Sequence, residues 1–487
     1  MRLPGAMLAA VVTAATSVQF PVSTSSESAQ AAVDRGLFLY YAYDGFAAYD
    51  AFQVAARYDP RLAMAYWGMA LSSGPDLNTP MTAAQFARGA ASISKAEALL
   101  AGATPRERQF VAIMGERYKG SFARWSADDA AYREAMLRFA RASGDEAAEL
   151  LAAEASLEAG GLSWKGGQPA RPPSRDALAL VSDVLQRDPS NPMANHLCIH
   201  LYDVAPDRTP ALACAQHLDA ASFASEAEHL AHMPAHYWIE TGDYARAEAS
   251  SQRAIALLND LPAPESGAEY EAHYRKHDIA VGYSAAMMLG NYAAARHWAD
   301  RMAGAFDTSF YALTALRFGR YSEAYGEADS GFEAPSVKGL AALQLGRLSE
   351  AALIAGKIST AKSGAPGSYL ADLFLARLAE AKGDVSAARG WIARAETTQR
   401  AEFSAEVIPL IPAGEALGAL ELRLGDAPRA IDAFTQTLQL YPNDPRALFG
   451  LAEAYLTIKS PREAAAVRAR FEGEWKGADT NAQDALP

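Results

Sequence analysis

The chain has 487 residues, of which 50% are hydrophobic and 21% are charged, and its formal net charge is −13. This length allows two to four domains or one elongated repeat array, and the hydrophobic content excludes a disordered chain. The acidic balance, with no run of Lys or Arg, argues against sequence-independent binding to nucleic acid phosphates or to an anionic membrane.

The first 31 residues have the pattern of a secretory leader. Arg2 precedes an apolar stretch from Met7 to Phe20, and Ala29-Gln30-Ala31 fits a small-x-small cleavage site. An uncleaved membrane anchor is the alternative, but the stretch falls short of the roughly 20 strongly apolar residues that a spanning helix needs. We therefore predict a signal peptide over residues 1–31, a periplasmic or secreted location, and no membrane span after its removal.

The remaining chain shows a recurring Gly/Ala pattern, in which a Gly ends one helical segment and an Ala follows five residues later in the next segment. The Gly permits a tight turn, and the Ala permits close contact between helices. The pairs are Gly242/Ala247, Gly290/Ala295, Gly319/Ala324, Gly346/Ala351, Gly383/Ala388 and Gly425/Ala430.

The last copy adds Phe434 and Pro442 at the spacing of a helix-turn-helix unit of about 34 residues, and Phe52 and Pro60 repeat that spacing near the N-terminus. This pattern resembles the tetratricopeptide repeat (TPR). Because strand-like alternation is scarce, the predicted fold class is all-α, an irregular TPR-like solenoid of helical hairpins.

A stretch rich in Gly and Pro, from Gly160 to Pro173, predicts a long loop. This loop and the recurring Gly/Ala pattern predict three regions after the leader. They are an N-terminal TPR-like helical region at 32–165, a histidine-rich TPR-like region at 174–305 and a C-terminal TPR region at 306–487.

The two cysteines, Cys198 and Cys214, are 16 residues apart. In an oxidising compartment such a pair can bridge two antiparallel helices. Cys198 is two residues from both His196 and His200, which on a helix turns it about 200° away from them. The pattern favours a disulfide over a thiolate ligand, and two reduced core cysteines are the alternative.

Imidazole is the most informative side chain of this sequence, because all nine histidines lie between positions 196 and 297. Imidazole is the commonest metal ligand and titrates near neutrality, so the cluster predicts a metal site or proton-transfer chemistry. The residues are His196, His200, His217, His229, His232, His236, His273, His277 and His297.

Helical spacing puts several of these imidazoles on shared faces. Residues four apart, such as His196 and His200, lie about 40° apart around a helix. His229 and His277 each lie 13 residues before a Gly of the repeat pattern, which predicts equivalent positions in consecutive repeats that face one concave groove. His217 and His297 are predicted on second helices, away from the groove, and His273 is undecided.

Pro234 leaves two alternatives for the HLAHMPAH segment at 229–236. The proline either kinks one continuous helix or begins a new one. If the helix begins at Pro234, then His229 and His232 sit on a preceding turn and the argument from their angles around the helix weakens.

The histidine motifs resemble those of a family of bacterial TPR proteins of poorly defined function. The resemblance covers nearly the whole mature chain and implies metal-site residues at His196, His200, His229, His232, His236 and His277. The chain departs from the family pattern at Asp44-Gly45, at Ala280 and at Ile411 to Glu415. These departures remove two imidazoles and an arginine, and put in doubt any function that needs the complete family site.

Oxygen ligands or acid-base partners could come from neighbouring residues, of which Asp278 beside His277 is the first to test. The candidates are Glu228, Asp203, Asp278, Tyr202, Tyr237 and Glu240. No phosphate-binding loop, dinucleotide fingerprint, HExxH helix or serine nucleophile elbow is present in the sequence.

Three functions are compatible with these patterns. The first is an exported TPR protein with a histidine-rich transition-metal site in its groove, copper or zinc rather than iron, and a metal-dependent enzyme as one form of it. The second is a scaffold that binds a peptide, a protein or a small molecule in the groove without metal. The third is a metal-free hydrolase or lyase with His as general base.

The cysteine pattern gives a direct prediction. If Cys198 and Cys214 close a loop between neighbouring helices, the bridge stabilises the fold by roughly 2 to 4 kcal/mol. Thiol labelling of denatured, non-reduced protein from an oxidising compartment should then find no reactive thiol. Two labelled cysteines would contradict the bridge.

Overall fold

The computed structural model describes residues 18–223, 227–260, 268–360, 368–402 and 410–481. Regular structure in this part of the chain is almost entirely helical, which confirms the predicted all-α fold of irregular helical hairpins. The helices up to His232 are α1 (Glu27–Tyr41), α2 (Gly45–Tyr58), α3 (Ala63–Leu71), α4 (Ala83–Glu97), α5 (Pro105–Arg117), α6 (Trp125–Ser143), α7 (Glu146–Gly160), α8 (Pro172–Arg187), α9 (Pro192–Tyr202), α10 (Leu212–Ala220) and α11 (Glu228–His232).

Paired helices continue beyond His232. They are α12 (Pro234–Thr241), α13 (Tyr244–Asp260), α14 (Ala268–Met288), α15 (Tyr292–Phe306), α16 (Tyr311–Arg317), α17 (Tyr321–Glu327), α18 (Ala334–Gln344), α19 (Leu348–Thr360), α20 (Tyr369–Ala381), α21 (Val385–Glu402), α22 (Ala413–Arg423), α23 (Ala427–Leu440), α24 (Pro445–Thr457) and α25 (Pro461–Glu474).

The chain forms two compact units, each built from two segments. The first consists of Met1–Pro234 and Ala256–Ala272, and the second of Ala235–Ile255 and His273–Pro487. This division falls inside the histidine-rich region and not at the predicted boundaries near residues 165 and 306. The loop after residue 160 does not separate two units because α7 packs directly against α8 across it.

The predicted loop between Gly160 and Pro173 is present and contains a small hairpin. Its strands, β1 (Trp164–Lys165) and β2 (Gln168–Pro169), are antiparallel. Gly166 and Gly167, with φ values of 62° and 74°, form the two-residue turn. The indole Nε1 of Trp164 donates to the carbonyl of Leu201 at 2.8 Å, which attaches the hairpin to the end of α9.

Glycines on first helices accept an aromatic ring from the second helix. In the first unit, a Cβ at Gly68 would lie 2.2 Å from the ring of Phe52, and one at Gly36 would lie 2.9 Å from it. In the second unit, a Cβ at Gly450 or Gly418 would lie 2.2 or 2.5 Å from the ring of Phe434. Helices on both sides of each ring therefore approach as closely as they do only because glycine has no side chain.

The Gly/Ala pattern corresponds to turns between paired helices. The six alanines of the pairs are fully buried, and five of the six glycines have φ between 72° and 81°. The exception is Gly290, where the lack of a side chain serves packing, because a Cβ there would lie 2.6 Å from the indole of Trp475.

Within the second unit, the last hairpin is bonded to hairpins that are far from it in sequence. Arg446 on α24 is fully buried and donates to the carbonyls of Met287 (3.0 Å) and Met288 (3.3 Å) at the end of α14. A third bond, of 3.3 Å, reaches the carbonyl of Arg317 at the end of α16. Open repeat arrays contact only their neighbours, whereas here residues 159 apart in sequence are hydrogen-bonded.

A second buried arginine in the same unit has an acidic partner. Arg317 donates to both carboxylate oxygens of Glu415, one at 2.7 Å. Burial would raise the pKa of Glu415, but the Arg317 guanidinium holds it below its ordinary value. The pair therefore remains ionised and links α16 to α22.

The N-terminal residues bear on the predicted leader. Its first 17 residues lie outside the described part of the chain. Phe20, 1% exposed, stacks on Trp67 with ring centroids 5.4 Å apart and meets Phe110 edge-on. Ser26 caps α1, and the proposed cleavage point after Ala31 falls inside that helix. Cleavage after Ala31 would remove Phe20 from the hydrophobic core and Ser26 from the N-terminus of α1. A leader that is compatible with this fold therefore ends before Phe20.

Truncation tests this boundary. A chain that begins at Ala32 should lose more stability than the Phe20→Ala variant, for which the loss of a buried ring predicts about 3–5 kcal/mol. A chain that begins at Val18 should unfold at the same urea concentration as the full-length protein. Equal midpoints for the chains that begin at Val18 and Ala32 would show that residues 18–31 do not belong to the fold.

Closure of the second unit can be tested at Arg446. Arg446→Met should lower the free energy of unfolding by about 3–5 kcal/mol, because buried carbonyls at the ends of α14 and α16 lose their donor. Arg429→Met, at an exposed i,i+3 ion pair, is the matched control and should change it by less than about 0.5 kcal/mol. Similar urea midpoints for both variants would contradict a stabilising role of Arg446.

Candidate metal centre

Helix α9 carries two histidines into the interior of the first unit. Asn191 caps the helix by accepting from the amide of Ala194 at 3.0 Å, and Pro192 occupies its first turn. Residues from Pro192 to Leu201 are all buried. His196 and His200 lie one turn apart, 0% and 1% exposed, with ring centroids separated by 5.0 Å.

Hydrogen bonds fix the tautomer of both imidazoles. The Nδ1 of His196 lies 3.0 Å from the carbonyl oxygen of Tyr41, and that of His200 lies 3.1 Å from a carboxylate oxygen of Asp203. Because a carbonyl or carboxylate oxygen accepts, the proton of each neutral ring is on Nδ1. Nε2 is then the unprotonated nitrogen, the form that coordinates a metal.

His229 on α11 completes a group of three. Its ring centroid is 4.9 Å from that of His196 and 6.4 Å from that of His200, and the side chain is 1% exposed. One ring nitrogen from each of these histidines lies within 4.8 Å of the other two. His232, also buried, is next along α11, with its ring 6.3 Å from that of His229.

Sequence reasoning missed Tyr43, which packs against this group. Its ring lies 4.3 Å from the ring of His196 and is stacked at 15° to that of His229, 5.6 Å away. Tyr43 joins α1 to α2 with φ of 60°, a left-handed conformation that is costly for a tyrosine. The sequence feature that could have indicated Tyr43 is its position beside Asp44-Gly45, where the chain departs from the family pattern.

A buried carboxyl group anchors the end of α1 behind the histidines. The hydroxyl of Tyr40 donates to Glu154 on α7 at 2.5 Å. Burial raises the pKa of Glu154 to about 8, so this carboxyl is largely protonated at neutral pH. The adjacent residue, Tyr41, supplies the carbonyl that orients His196.

The helix is interrupted at Pro234. α11 ends at His232 and α12 begins at Pro234, and Met233 between them keeps right-handed helical dihedral angles, with φ of −48° and ψ of −38°. The missing N–H of the proline accounts for the interruption, and the backbone conformation is that of a kinked helix. His229 on α11 and His277 on α14 each precede the Gly-containing turn of a hairpin, at Gly242 and at Gly290. Their equivalence in consecutive repeats stays a prediction.

The second unit contains the other two predicted ligands. The Nε2 atoms of His236 and His277 are 3.3 Å apart, and the ring centroids are 5.3 Å apart. His236 is buried and His277 is half-buried. Asp278, Tyr237 and Glu240 are buried in the same unit.

The remaining histidines lie elsewhere. His217 on α10 and His297 on α15 are exposed, as expected for residues outside the groups. The side chain of His273 lies outside the described residues. Of the oxygen candidates in the first unit, Asp203 contacts His200, Glu228 is buried on α11, and Tyr202 packs on Trp164.

The cysteines form the predicted bridge. Cys198 on α9 and Cys214 on α10 are disulfide-bonded, with their Cα atoms 6.4 Å apart. Both cysteines are buried, which fixes α10 against the helix that carries His196 and His200. A thiolate from either residue is therefore not part of the histidine group.

The donor set of the first unit fits a transition metal. Nitrogens bound to a tetrahedral ion at 2.0–2.1 Å lie about 3.3 Å apart, so those of His196, His200 and His229 need to approach by at most about 1.5 Å. The Nε2 distance in the His236–His277 pair already equals that spacing. Imidazole nitrogens suit zinc or copper.

Comparison with family models identifies the repeat type of one C-terminal segment. Residues 421–469, from the end of α22 into α25, match the family model described as tetratricopeptide repeat. This segment is thus a tetratricopeptide repeat, the repeat type that the sequence predicted. The matched segment lies after all nine histidines, and it does not bear on the histidine motifs. No curated protein matches the chain.

Several solved structures are similar at low identity. The yeast Tom70 structure is 12% identical, with 94% of this chain and 95% of that chain covered and a TM-score of 0.25. The Cut9 and Hcn1 hetero-tetramer of APC/C is 14% identical, with 93% and 96% covered and a TM-score of 0.31. The MamA protein is 16% identical, with 42% and 92% covered and a TM-score of 0.24.

None of the helices in the described part of the chain combines the length and the hydrophobicity that a bilayer crossing requires.

Proposed function

We propose that this chain is an exported TPR protein whose first unit binds a transition-metal ion through Nε2 of His196, Nε2 of His200 and a ring nitrogen of His229. The observation that carries the proposal is the pair of Nδ1–H hydrogen bonds to the Tyr41 carbonyl and the Asp203 carboxylate. Such bonds orient the rings of metal-binding histidines and raise their basicity as ligands.

Zinc and copper suit this site better than iron. The three proposed ligands are nitrogen donors. The nearby carboxylate of Asp203 accepts a hydrogen bond from Nδ1 of His200 and is not one of the proposed ligands. Three imidazoles leave one tetrahedral position for water or a substrate, as in catalytic rather than structural zinc sites. When bound, the metal would supply Lewis acidity and a water of lowered pKa. Tyr43 would form an aromatic wall and limit access of bulk water.

Export is supported by the disulfide. A buried bridge between Cys198 and Cys214 is stable in an oxidising compartment and rare in the cytosol. In this proposal, a leader that ends before Phe20 directs the protein to the periplasm or outside the cell.

The His236–His277 pair is proposed as a second, weaker element of metal binding. Its nitrogen spacing suits two ligands of one ion, but two imidazoles alone hold an ion weakly. A hydrogen bond between the two rings accounts for the same distance without metal. The contribution of this pair to metal binding is therefore measured separately, in the His236→Ala variant.

Metal binding by protein without a polyhistidine tag tests the proposal. After chelation and reloading, elemental analysis should find at least one zinc or copper ion per chain. His196→Ala, His200→Ala and His229→Ala should each weaken the affinity by more than about 100-fold, and Asp203→Asn by about 10- to 100-fold. Circular dichroism should change little, because stability is spread over many hairpins.

The matched controls are His217→Ala and His297→Ala, which remove exposed imidazoles and should leave the affinity unchanged. His236→Ala should reduce the metal content or affinity by less than His196→Ala does. Background metal in the wild type would contradict the proposal and favour a metal-free scaffold. An equal loss in His217→Ala would place the binding site elsewhere.

A further inference from the structure

Tyr43 occupies the place of a pattern glycine in the turn of the first hairpin, between α1 and α2. Ala48, five residues later, is fully buried, as the alanines of the Gly/Ala pattern are. The amide of Tyr43 donates to the carbonyl of Tyr40 at 2.9 Å, and the next amide along the chain donates to the carbonyl of Leu39 at 3.1 Å. Bonds with the same offsets close the turns at Gly242, Gly319, Gly346, Gly383 and Gly425. The first hairpin therefore has a tyrosine where these hairpins have glycine.

A tyrosine at this position strains the backbone. With φ of 60°, Tyr43 has the left-handed conformation that glycine adopts readily and that a residue with a Cβ adopts at a cost. Lys459, at the turn after α24, has φ of 62°, and its side chain is exposed. The side chain of Tyr43 is instead 2% exposed. Strain of this kind persists where the surroundings of a side chain hold it in place, so the contacts of the buried ring deserve an explanation.

The ring of Tyr43 forms the fourth corner of a tetrahedron whose other corners are the three imidazoles of the first unit. Its centroid lies 4.3 Å from that of His196, 5.6 Å from that of His229 and 6.4 Å from that of His200. The imidazole centroids are themselves 4.9, 5.0 and 6.4 Å apart. Such distances are those of aromatic rings in direct contact. No ligand as large as a ring fits between Tyr43 and the imidazoles.

We propose, on the basis of the metal site proposed above, that Tyr43 restricts the fourth ligand of the bound ion to the size of water or hydroxide. A tetrahedral ion held by three imidazoles has one further position, and the ring of Tyr43 covers that side of the group. A planar ligand such as free imidazole would overlap the ring. Tyr43 is thus a specificity-determining residue that acts through the volume of its ring and not through its hydroxyl group.

Titration of the Co²⁺-loaded full chain with imidazole tests this role, because the visible absorption of Co²⁺ changes when a ligand is added. Tyr43→Gly removes the ring and accepts the left-handed backbone, and it should bind imidazole at least about tenfold more tightly than the wild type. Tyr43→Leu lacks the outer part of the ring, keeps apolar packing and should also bind imidazole more tightly. It provides a second measurement if Tyr43→Gly does not fold. Tyr43→Phe keeps the ring and should match the wild type.

The matched control is Lys459→Gly, which relieves the same backbone conformation at an exposed turn of the second unit and should leave imidazole binding unchanged. A wild-type chain that binds no Co²⁺ would refute the metal site itself. A loaded wild type that binds imidazole as tightly as Tyr43→Gly and Tyr43→Leu would leave the metal site standing and overturn the role of Tyr43. Tighter imidazole binding by Tyr43→Phe would overturn the role of ring volume and assign the restriction to the hydroxyl group.

Discussion

Close contact between helices at glycine is the constraint on which the hairpins of this protein depend. Phe52 in the first unit and Phe434 in the second each fill the space left by glycines on two flanking helices. A methyl group at Gly68 or Gly450 would overlap these rings, so each hairpin fixes the distance to the next. Because the same contact between glycine and an aromatic ring occurs in both units, helices can pack closely even though the hairpins are separated by different numbers of residues.

Irregular spacing also permits contacts that a uniform array excludes. In the second unit, Arg446 joins hairpins distant in sequence, and Tyr244 on α13 donates to the carbonyl of Pro442 at 2.8 Å. A buried arginine is costly unless its donors are satisfied, and here carbonyl groups at helix ends accept hydrogen bonds from both terminal nitrogens of Arg446.

The candidate metal centre follows from burial of polar side chains. Imidazoles that are excluded from water must have hydrogen-bond partners, and for His196 and His200 those partners lie on the Nδ1 side. The demand for satisfied donors therefore also sets the tautomer that binds metal. The disulfide to α10 and the Tyr40–Glu154 bond stabilise the two helix ends that present these partners.

The sequence by itself determined the hairpins, the pairing of Cys198 with Cys214 and the grouping of His196 with His200, because these depend on turn residues and spacing within one or two helices. Tertiary structure decided the contact of Tyr43 with the imidazoles, the ring tautomer of His196, the closure by Arg446 and the inclusion of Phe20 in the core. Each of these joins residues distant in sequence. The interruption at Pro234 lay between the two. The sequence shows that a proline without an N–H must disturb the helix there, but only the packing of the folded chain decides that Met233 keeps helical dihedral angles between α11 and α12.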